Sequence, residues 1–215
     1  MSTRVSDTTS AMRKAPRQAR SRATVDVIVT AVAHVLDARG WSGFTTNEVA
    51  RVAGVSIGSV YQYFPNKLAL VDAIRRQHFD DVLAVLQRAR ERHTSPERFI
   101  ECLVNDLIAV HRDYPSLHRM LLDLPNPGGA KDADEAFQQE YLHRYALIVA
   151  AYRGRRPGGK GDWTAAQVLS SAVEGVIHNA ARRGLLAHSQ LRRELIRMVH
   201  GYLGDPHVAT ADSTR

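Results

Sequence analysis

Residues 45–67 read TTNEVARVAGVSIGSVYQYFPNK, and this stretch determines the organisation of the chain around it. Thr45 has a hydroxyl suited to a helix N-cap, and Glu48 follows three residues later, the spacing of a capping box. Gly54 suits the left-handed residue that ends a helix, and Ser56 can cap a second helix that stops at the next proline. The stretch therefore predicts a helix-turn-helix, the unit that places its second helix in the DNA major groove.

The outward face of the second predicted helix has an unusual composition for a purely structural helix, where Lys, Glu or Arg would be more common. Its members are Ile57, Gly58, Ser59, Tyr61, Gln62 and Tyr63. Hydroxyls, an amide, aromatic rings and a glycine suit close approach to DNA. We expect Gln62, Ser59 and Ile57 to face base edges, because glutamine pairs with adenine and isoleucine can touch a thymine methyl. The side chains expected on phosphates are Thr46, Tyr61, Tyr63 and Lys67. The alternative is an ordinary helical hairpin with a polar surface.

Positive charge is concentrated around this stretch. The chain has 215 residues and a formal net charge of +7, and between Arg13 and Arg76 ten Lys and Arg stand against four Asp and Glu. A basic region that coincides with a helix-turn-helix is typical of a nucleic-acid binder. The segment before the first helix is also basic, and we expect Arg20 and Arg22 to contact DNA as part of an arm reaching phosphates or a minor groove. A solvated, positively charged tail is the alternative interpretation.

The remaining sequence predicts helices and no strands. Apolar residues recur at helical spacing in segments separated by Gly and Pro. The predicted helices, about nine in number, cover roughly 20–39, 45–53, 57–64, 67–92, 96–112, 115–124, 133–153, 164–183 and 189–203. The expected fold is all-α, with an N-terminal three-helix helix-turn-helix domain at 18–66 and a C-terminal helical domain at 67–204. Residues 1–17 and 205–215 are expected to be flexible termini.

Several classes of protein are disfavoured by what the sequence lacks. Cys102 is the only cysteine, so an intrachain disulfide is impossible and a reducing, cytoplasmic location is expected. No apolar run is long enough to span a membrane. The ten histidines form no HExxH motif and have no CxxC beside them, so no metal, cofactor or enzyme activity is expected. We expect His111 and His178 to be hydrogen-bonded core histidines.

The chain resembles the N-terminal domain of the TetR (tetracycline-repressor-like) family of bacterial transcriptional regulators over roughly residues 18–70. The residues that carry the resemblance are Gly40-Trp41, Phe44-Thr45-Thr46, Val49-Ala50, Ala53-Gly54-Val55-Ser56, Gly58-Ser59-Val60-Tyr61, Tyr63-Phe64 and Lys67. One position departs from the family pattern: Ile57 stands where such proteins often carry a polar or basic residue. The resemblance implies a C-terminal domain that binds a small-molecule effector and a homodimer formed by the last two helices.

Two further sets of residues are candidates within that C-terminal domain. The expected walls of a mainly apolar effector pocket are Phe99, Leu103, Leu107, His111, Met120, Phe137, Tyr141, Tyr145, Ile177 and Asn179. The expected dimer interface contains Val168, Ala172, Gly175, Val176, Leu195 and Val199. Close packing in a monomeric core is the alternative for either set.

The interpretation that joins these observations is a ligand-responsive regulator. We expect a homodimeric repressor that binds a palindromic operator in double-stranded DNA and is released by the effector. The alternative is a helical binding or adaptor protein that shares the N-terminal fold but recognises protein or RNA; a steep salt dependence of DNA binding favours the first.

Overall fold

The computed structural model describes residue 12 and residues 19–91, 95–112, 131–154 and 160–204, and every regular element in these ranges is a helix. The elements are α1 (Ala19–Gly43), α2 (Thr46–Ala53), α3 (Ile57–Tyr63), α4 (Lys67–Glu91), α5 (Pro96–Arg112), α6 (Lys131–Tyr152), α7 (Lys160–Arg182) and α8 (Ser189–Gly204). The predicted all-α class is confirmed. Most of the predicted N-terminal arm, the predicted helix at 115–124 and the tail from 205 lie outside the described residues.

The first of two compact units holds α1, α2, α3 and α4 as far as Gln77, together with residues 131–133. Helix α1 is interrupted near its end by Gly40, whose φ of 62° and ψ of −173° are not helical. Such a positive φ is readily adopted only by glycine. The interruption sets the direction of the chain before Phe44, whose ring is buried in the core of this unit. The predicted end of the helix at Gly40 therefore appears as a kink.

Local capping explains where α2 and α3 begin and end. The backbone N–H of Glu48 donates to the Thr45 hydroxyl at 3.1 Å, and that of Ser59 donates to the Ser56 hydroxyl at 3.0 Å. Gly54 adopts the left-handed conformation, with φ 66° and ψ 29°, and its N–H bonds back to the last turn of α2. The two short helices and their tight turn match the predicted helix-turn-helix.

One half of the predicted capping box is wrong. The carboxylate of Glu48 does not bond to the Thr45 backbone. It accepts two hydrogen bonds from Arg51, at 2.6 and 3.0 Å, and forms an ion pair with Arg39 at 2.9 Å. The hydrogen bond from Arg51 is the main reason that the pKa of Glu48 is lowered. An ionised guanidinium competes better for the carboxylate than a neutral N–H does, and the result links α2 to α1.

The second unit holds the rest of α4 from His78, α5, most of α6, α7 and α8. One apolar cluster runs through it, from Val82 in α4 to Leu203 in α8. Gly184, with φ 68°, allows the turn between α7 and α8, as the sequence suggested. No helix in the ranges that the structure describes is long and apolar enough to cross a membrane.

Candidate functional site

The helical repeat of α3, which has seven residues, decides which of its side chains are exposed. Val60 is fully buried and anchors the inner side of α3. Ile57 and Tyr61 lie on the outer side, with 38% and 43% of their surface exposed, and Gln62 is also exposed. An apolar residue and a tyrosine left open to solvent beside an amide form a surface suited to apolar and hydrogen-bonding contacts with a groove.

Thr46 and Tyr61 were both predicted to contact phosphate, and the structure brings them together. Their hydroxyl oxygens are 3.1 Å apart, joining the start of α2 to the middle of α3. Each hydroxyl keeps further hydrogen-bonding capacity, because a hydroxyl has one donor and two acceptor positions. The pair therefore presents two oriented hydroxyls from two different helices at one surface.

Gly58 leaves open space on the outer side of α3. A Cβ atom built at this position would meet only the Ser56 hydroxyl oxygen, at 3.7 Å, which is ordinary van der Waals contact. Gly58 is exposed and its backbone does not require a glycine. The packing of the chain itself therefore gives no reason for a glycine here, whereas close approach of another molecule to the helix backbone does.

Two predicted DNA contacts on α3 are placed differently. Tyr63 is only 6% exposed, because it follows Val60 by one helical turn and lies beside Phe64 on the inner side; its predicted place on the outward face is wrong. The Ser59 hydroxyl lies 2.8 Å from the Ser56 hydroxyl and so belongs to the cap of α3. Of the three residues predicted at base edges, Gln62 and Ile57 are the exposed ones.

Lys67 is held at the start of α4 by an aromatic ring. Its Nζ atom lies 3.8 Å from the centre of the Trp41 ring and 5.9 Å from that of Phe44. This is a cation–π contact, which steers the ammonium while leaving its hydrogen-bond donors available. No helical periodicity relates Trp41 to Lys67, so the sequence alone does not predict this contact. Arg20 and Arg22 are exposed at the start of α1.

Most of the predicted pocket residues come together in the core of the second unit. Leu103, Leu107, His111, Tyr141, Tyr145 and Ile177 are buried there, and Phe99 and Phe137 pack against the same cluster. Asn179 does not join them: it is exposed, because it lies about 200° around α7 from Ile177. Its predicted place in the pocket is therefore wrong. Met120 lies outside the described residues.

A row of three histidines crosses this core. The ring of His111 in α5 lies 4.9 Å from that of His78 in α4 and 5.2 Å from that of His178 in α7. The Nδ1 atom of His111 donates to the carbonyl oxygen of Leu107 at 2.8 Å. Burial lowers the pKa of His111, and burial with the nearby His111 lowers that of His178 to about 4. At neutral pH both imidazoles are therefore uncharged.

Two tyrosines of α6 and one carboxylate lie beside this row. The rings of Tyr141 and Tyr145 are 4.9 Å apart, and burial raises the pKa of both phenols. The carboxylate is that of Glu174, whose Oε1 atom is 3.7 Å from His178 Nδ1 and whose own pKa is raised by burial. The sequence had suggested His178 as a core histidine and Tyr141 and Tyr145 as pocket residues; the structure places His78 beside His111 and Glu174 beside His178.

The predicted dimer surface is divided by the structure. Leu195 and Val199 are 2% and 1% exposed and belong to the apolar core of their own unit, so they are not available to a partner. This part of the prediction is wrong, because the inner face of α8 is fully used within the chain. Val168 is 48% exposed, Ala172 and Val176 are half-buried, and Gly175 is exposed. These four follow one another at helical spacing along α7.

No group of three His, Cys, Asp or Glu side chains in the described ranges is arranged to hold a metal ion. What the first unit does present is a helix-turn-helix whose second helix is exposed along a face of mixed apolar and polar character. A glycine opens that face, and hydroxyls and an ammonium flank it. These features define a DNA-binding protein of the helix-turn-helix class.

Comparison with known proteins identifies the family. A family model described as "Bacterial regulatory proteins, tetR family" matches residues 28–74, and one described as "Tetracyclin repressor-like, C-terminal domain" matches residues 95–203. The chain therefore belongs to the TetR family of DNA-binding transcriptional regulators, which are not enzymes.

Individual relatives agree with this assignment. The HTH-type transcriptional regulator RutR of Escherichia coli K12 is 34% identical over 93 residues, which is 43% of this chain and 43% of RutR, so the match spans less than half the length of that relative. A TetR-family regulator from Streptomyces coelicolor has the same fold, with a TM-score of 0.65 and 23% identity over 86% of this chain and 98% of that one. FadR from Bacillus subtilis, solved in complex with stearoyl-CoA, has a TM-score of 0.63 and 15% identity over 81% and 96% of the two chains.

Proposed function

We propose that this TetR-family regulator is a homodimeric repressor that binds a palindromic operator and is released by a small, mainly apolar effector bound in its second unit. The observation that carries the DNA-binding half of the proposal is the exposed face of α3, with Ile57, Tyr61 and Gln62 open to solvent and Gly58 free of any packing requirement.

The contacts divide into two kinds. The paired hydroxyls of Thr46 and Tyr61 and the ammonium of Lys67 contact phosphates, because hydroxyls and ammonium groups suit the backbone and carry no base preference. Gln62 and Ile57 meet base edges in the major groove. Changing Gln62 to Ala should therefore relax the preference at one base pair by about 1–3 kcal/mol. Competition assays with operators changed at each position would measure it, and a uniform loss across all of them would contradict the assignment.

The exposed stripe of α7 supports the dimer. Val168, Ala172, Gly175 and Val176 present small and apolar side chains that a second copy would cover. Two-fold symmetry would place two recognition helices on successive major grooves, about 34–36 Å apart, and so requires a palindromic site.

The effector half of the proposal rests on the core of the second unit. Its aromatic and aliphatic residues favour an apolar ligand, because burial of apolar surface contributes about 25 cal/mol per Å². FadR, which shares the fold, holds stearoyl-CoA in its solved structure. The ligand must bind the DNA-releasing conformation more tightly than the DNA-binding one, since otherwise it would not shift the equilibrium.

The proposal is tested in two stages. Footprinting of the purified protein on DNA flanking its own gene should reveal a palindromic site with a steep salt dependence. A panel of apolar and amphipathic compounds, stearoyl-CoA included, should then be screened for thermal stabilisation of the protein and for its release from that site. Protection of a non-palindromic site, or stabilising compounds that never release DNA, would contradict the corresponding half.

A further inference from the structure

We propose that the effector carries an uncharged hydrogen-bonding headgroup, such as a phenol or alcohol hydroxyl, and that Tyr145 is its principal partner. The headgroup would lie in the imidazole–phenol cluster, by which we mean His78, His111, His178, Tyr141 and Tyr145. This inference rests on the proposed function only in placing the effector in the second unit. It adds the chemical class of the ligand and the residue that selects it.

The hydroxyl of Tyr145 is the observation that points to a ligand. The side chain is fully buried, and its oxygen has no partner at hydrogen-bonding geometry in the part of the chain that the structure describes. The Tyr141 hydroxyl is a hydrogen-bonding neighbour that lowers the pKa of Tyr145 against the larger effect of burial, but the two side chains do not reach the geometry of a full hydrogen bond. Buried polar groups are normally hydrogen-bonded, because leaving one unpaired is unfavourable. A ligand that donates to or accepts from this hydroxyl would remove the penalty.

The position of the hydroxyl relates it to the histidine row. Glu174 acts electrostatically on both Tyr141 and Tyr145, and its carboxylate lies 3.7 Å from His178 Nδ1. His178 in turn contacts His111 across 5.2 Å between ring centres. Phenols from α6 and imidazoles from α5 and α7 therefore surround one region of the core. Neutral imidazoles and phenols each both donate and accept, so the region can satisfy either kind of headgroup.

The surroundings favour a neutral headgroup over an ionised one. The groups that act on His178 are His111 from α5 and, from its own helix, Arg182 and Glu174. Burial lowers the pKa of His111 and His178, raises the pKa of the Tyr141 and Tyr145 phenols, and raises the pKa of Glu174, so it favours the uncharged form of each group. An environment that suppresses ionisation of its own groups would also disfavour a ligand carboxylate or ammonium. A carboxylate would in addition meet the acidic side chain of Glu174.

The solvent exposure of these side chains decreases from Glu174 through the histidines to Tyr145. The side chain of Glu174 is 43% exposed and that of His178 17%, whereas His111 is 5% exposed and Tyr145 is fully buried. Polar groups thus extend from the surface of α7 to the buried phenol. A headgroup bound at the buried end would lose its water, so it would need protein hydrogen-bond partners there, while its apolar part packs against the surrounding core.

Three probes that share a 4-butylphenyl body and differ in their headgroup test the proposal: 4-butylphenol, 4-butylbenzoate and 4-butylbenzylammonium, which are neutral, anionic and cationic at neutral pH. Calorimetry and thermal shift on the full chain should show the phenol binding at least about tenfold more tightly than either charged probe. Its affinity should stay constant between about pH 7 and 8, where the phenol is uncharged and the lowered pKa values of His111 and His178 keep both imidazoles neutral. Equal or tighter binding of a charged probe would overturn the proposal, and so would failure of the phenol to bind at its solubility limit.

Changing Tyr145 to Phe identifies the partner. It removes one oxygen that lacks a protein partner, so the unliganded variant should melt no lower than the wild type while binding 4-butylphenol about tenfold more weakly. The matched control is Tyr152→Phe in the same helix, whose hydroxyl is already hydrogen-bonded to His200 at 3.2 Å and lies outside the cluster. Unchanged phenol binding by Tyr145→Phe would show that the residue is only part of the core.

Release from operator DNA separates this inference from the proposed function. If the phenol binds through Tyr145 without releasing DNA, the headgroup assignment stands and the effector-release mechanism fails. If only a charged probe binds and releases DNA, the mechanism stands and the headgroup assignment fails.

Discussion

Gly58→Ala should affect stability and DNA binding in opposite directions. In the free protein the added carbon would meet only the Ser56 hydroxyl oxygen, at 3.7 Å, so no neighbour has to move. Alanine in a helix is more stable than glycine by about 0.5–1 kcal/mol. For a chain of this size, 1 kcal/mol raises the melting temperature by about 2–4 °C. We therefore expect a rise of a few degrees.

The same methyl group would occupy the space through which α3 approaches DNA. If that approach is close, the cost should resemble overpacking in a tight interface, about 1–3 kcal/mol, or roughly 5-fold to 150-fold in affinity. Differential scanning fluorimetry gives the first quantity, and fluorescence anisotropy with labelled operator DNA gives the second.

A matched substitution controls for the general effect of alanine. Gly201 in α8 is exposed and also has no atom within 4 Å of a built Cβ. Gly201→Ala should raise the melting temperature similarly without changing DNA affinity. Operator binding by Gly58→Ala at wild-type strength would refute the close approach, and a lowered melting temperature would refute the local geometry.

Three further substitutions examine other parts of the molecule. Lys67→Gln should make the plot of log affinity against log salt shallower by about 0.9 per protomer. Arg98→Gln removes the same charge from α5 and should leave that slope unchanged. Equal slopes for both variants would count against a phosphate contact by Lys67. Val168→Glu should yield a folded monomer in sedimentation experiments, because this side chain is 48% exposed and its loss leaves the core intact; a persisting dimer would place the interface elsewhere. His178 has a pKa of about 4 in the folded protein, against an ordinary value of 6.5. Between pH 6.5 and pH 4 only the unfolded chain therefore takes up this proton. The free energy of unfolding should fall by about 3 kcal/mol as the pH drops through that range. His178→Gln should reduce that fall in urea titrations, and an unchanged pH profile would show that this imidazole is not held neutral.

The parts of the structure that depend on neighbouring residues were predictable from the sequence. The caps at Thr45 and Ser56 and the left-handed Gly54 are local features, and they fixed the position of the helix-turn-helix. Tyr63 was misplaced because the hydroxyl and ring of a tyrosine suggested a DNA contact, although its spacing from Val60 already put it on the inner face of α3. In this case the helical period was the better guide.

Other features depend on which surfaces meet, and sequence periodicity does not contain that information. Leu195 and Val168 are both apolar residues on amphipathic helices, yet one is buried in its own chain and the other is exposed. A core and an interface select the same residue types, so the pattern does not distinguish them. The contact of His111 with His78 and His178 joins three helices separated by many residues. The sequence indicated polar side chains in this core through His111, His178, Tyr141 and Tyr145, but it did not indicate which of them would touch.

The cation–π contact at the start of α4 gives the protein an intrinsic optical signal. The chain has two tryptophans, and the emission of an indole responds to a charge held against its ring. The Lys67 ammonium lies 3.8 Å from the centre of the Trp41 ring, while Trp163 is 45% exposed at the start of α7. In a Trp163→Phe protein, Trp41 would be the sole emitter. Any event that draws the ammonium from its ring would then be visible in unlabelled protein as a change in ultraviolet emission.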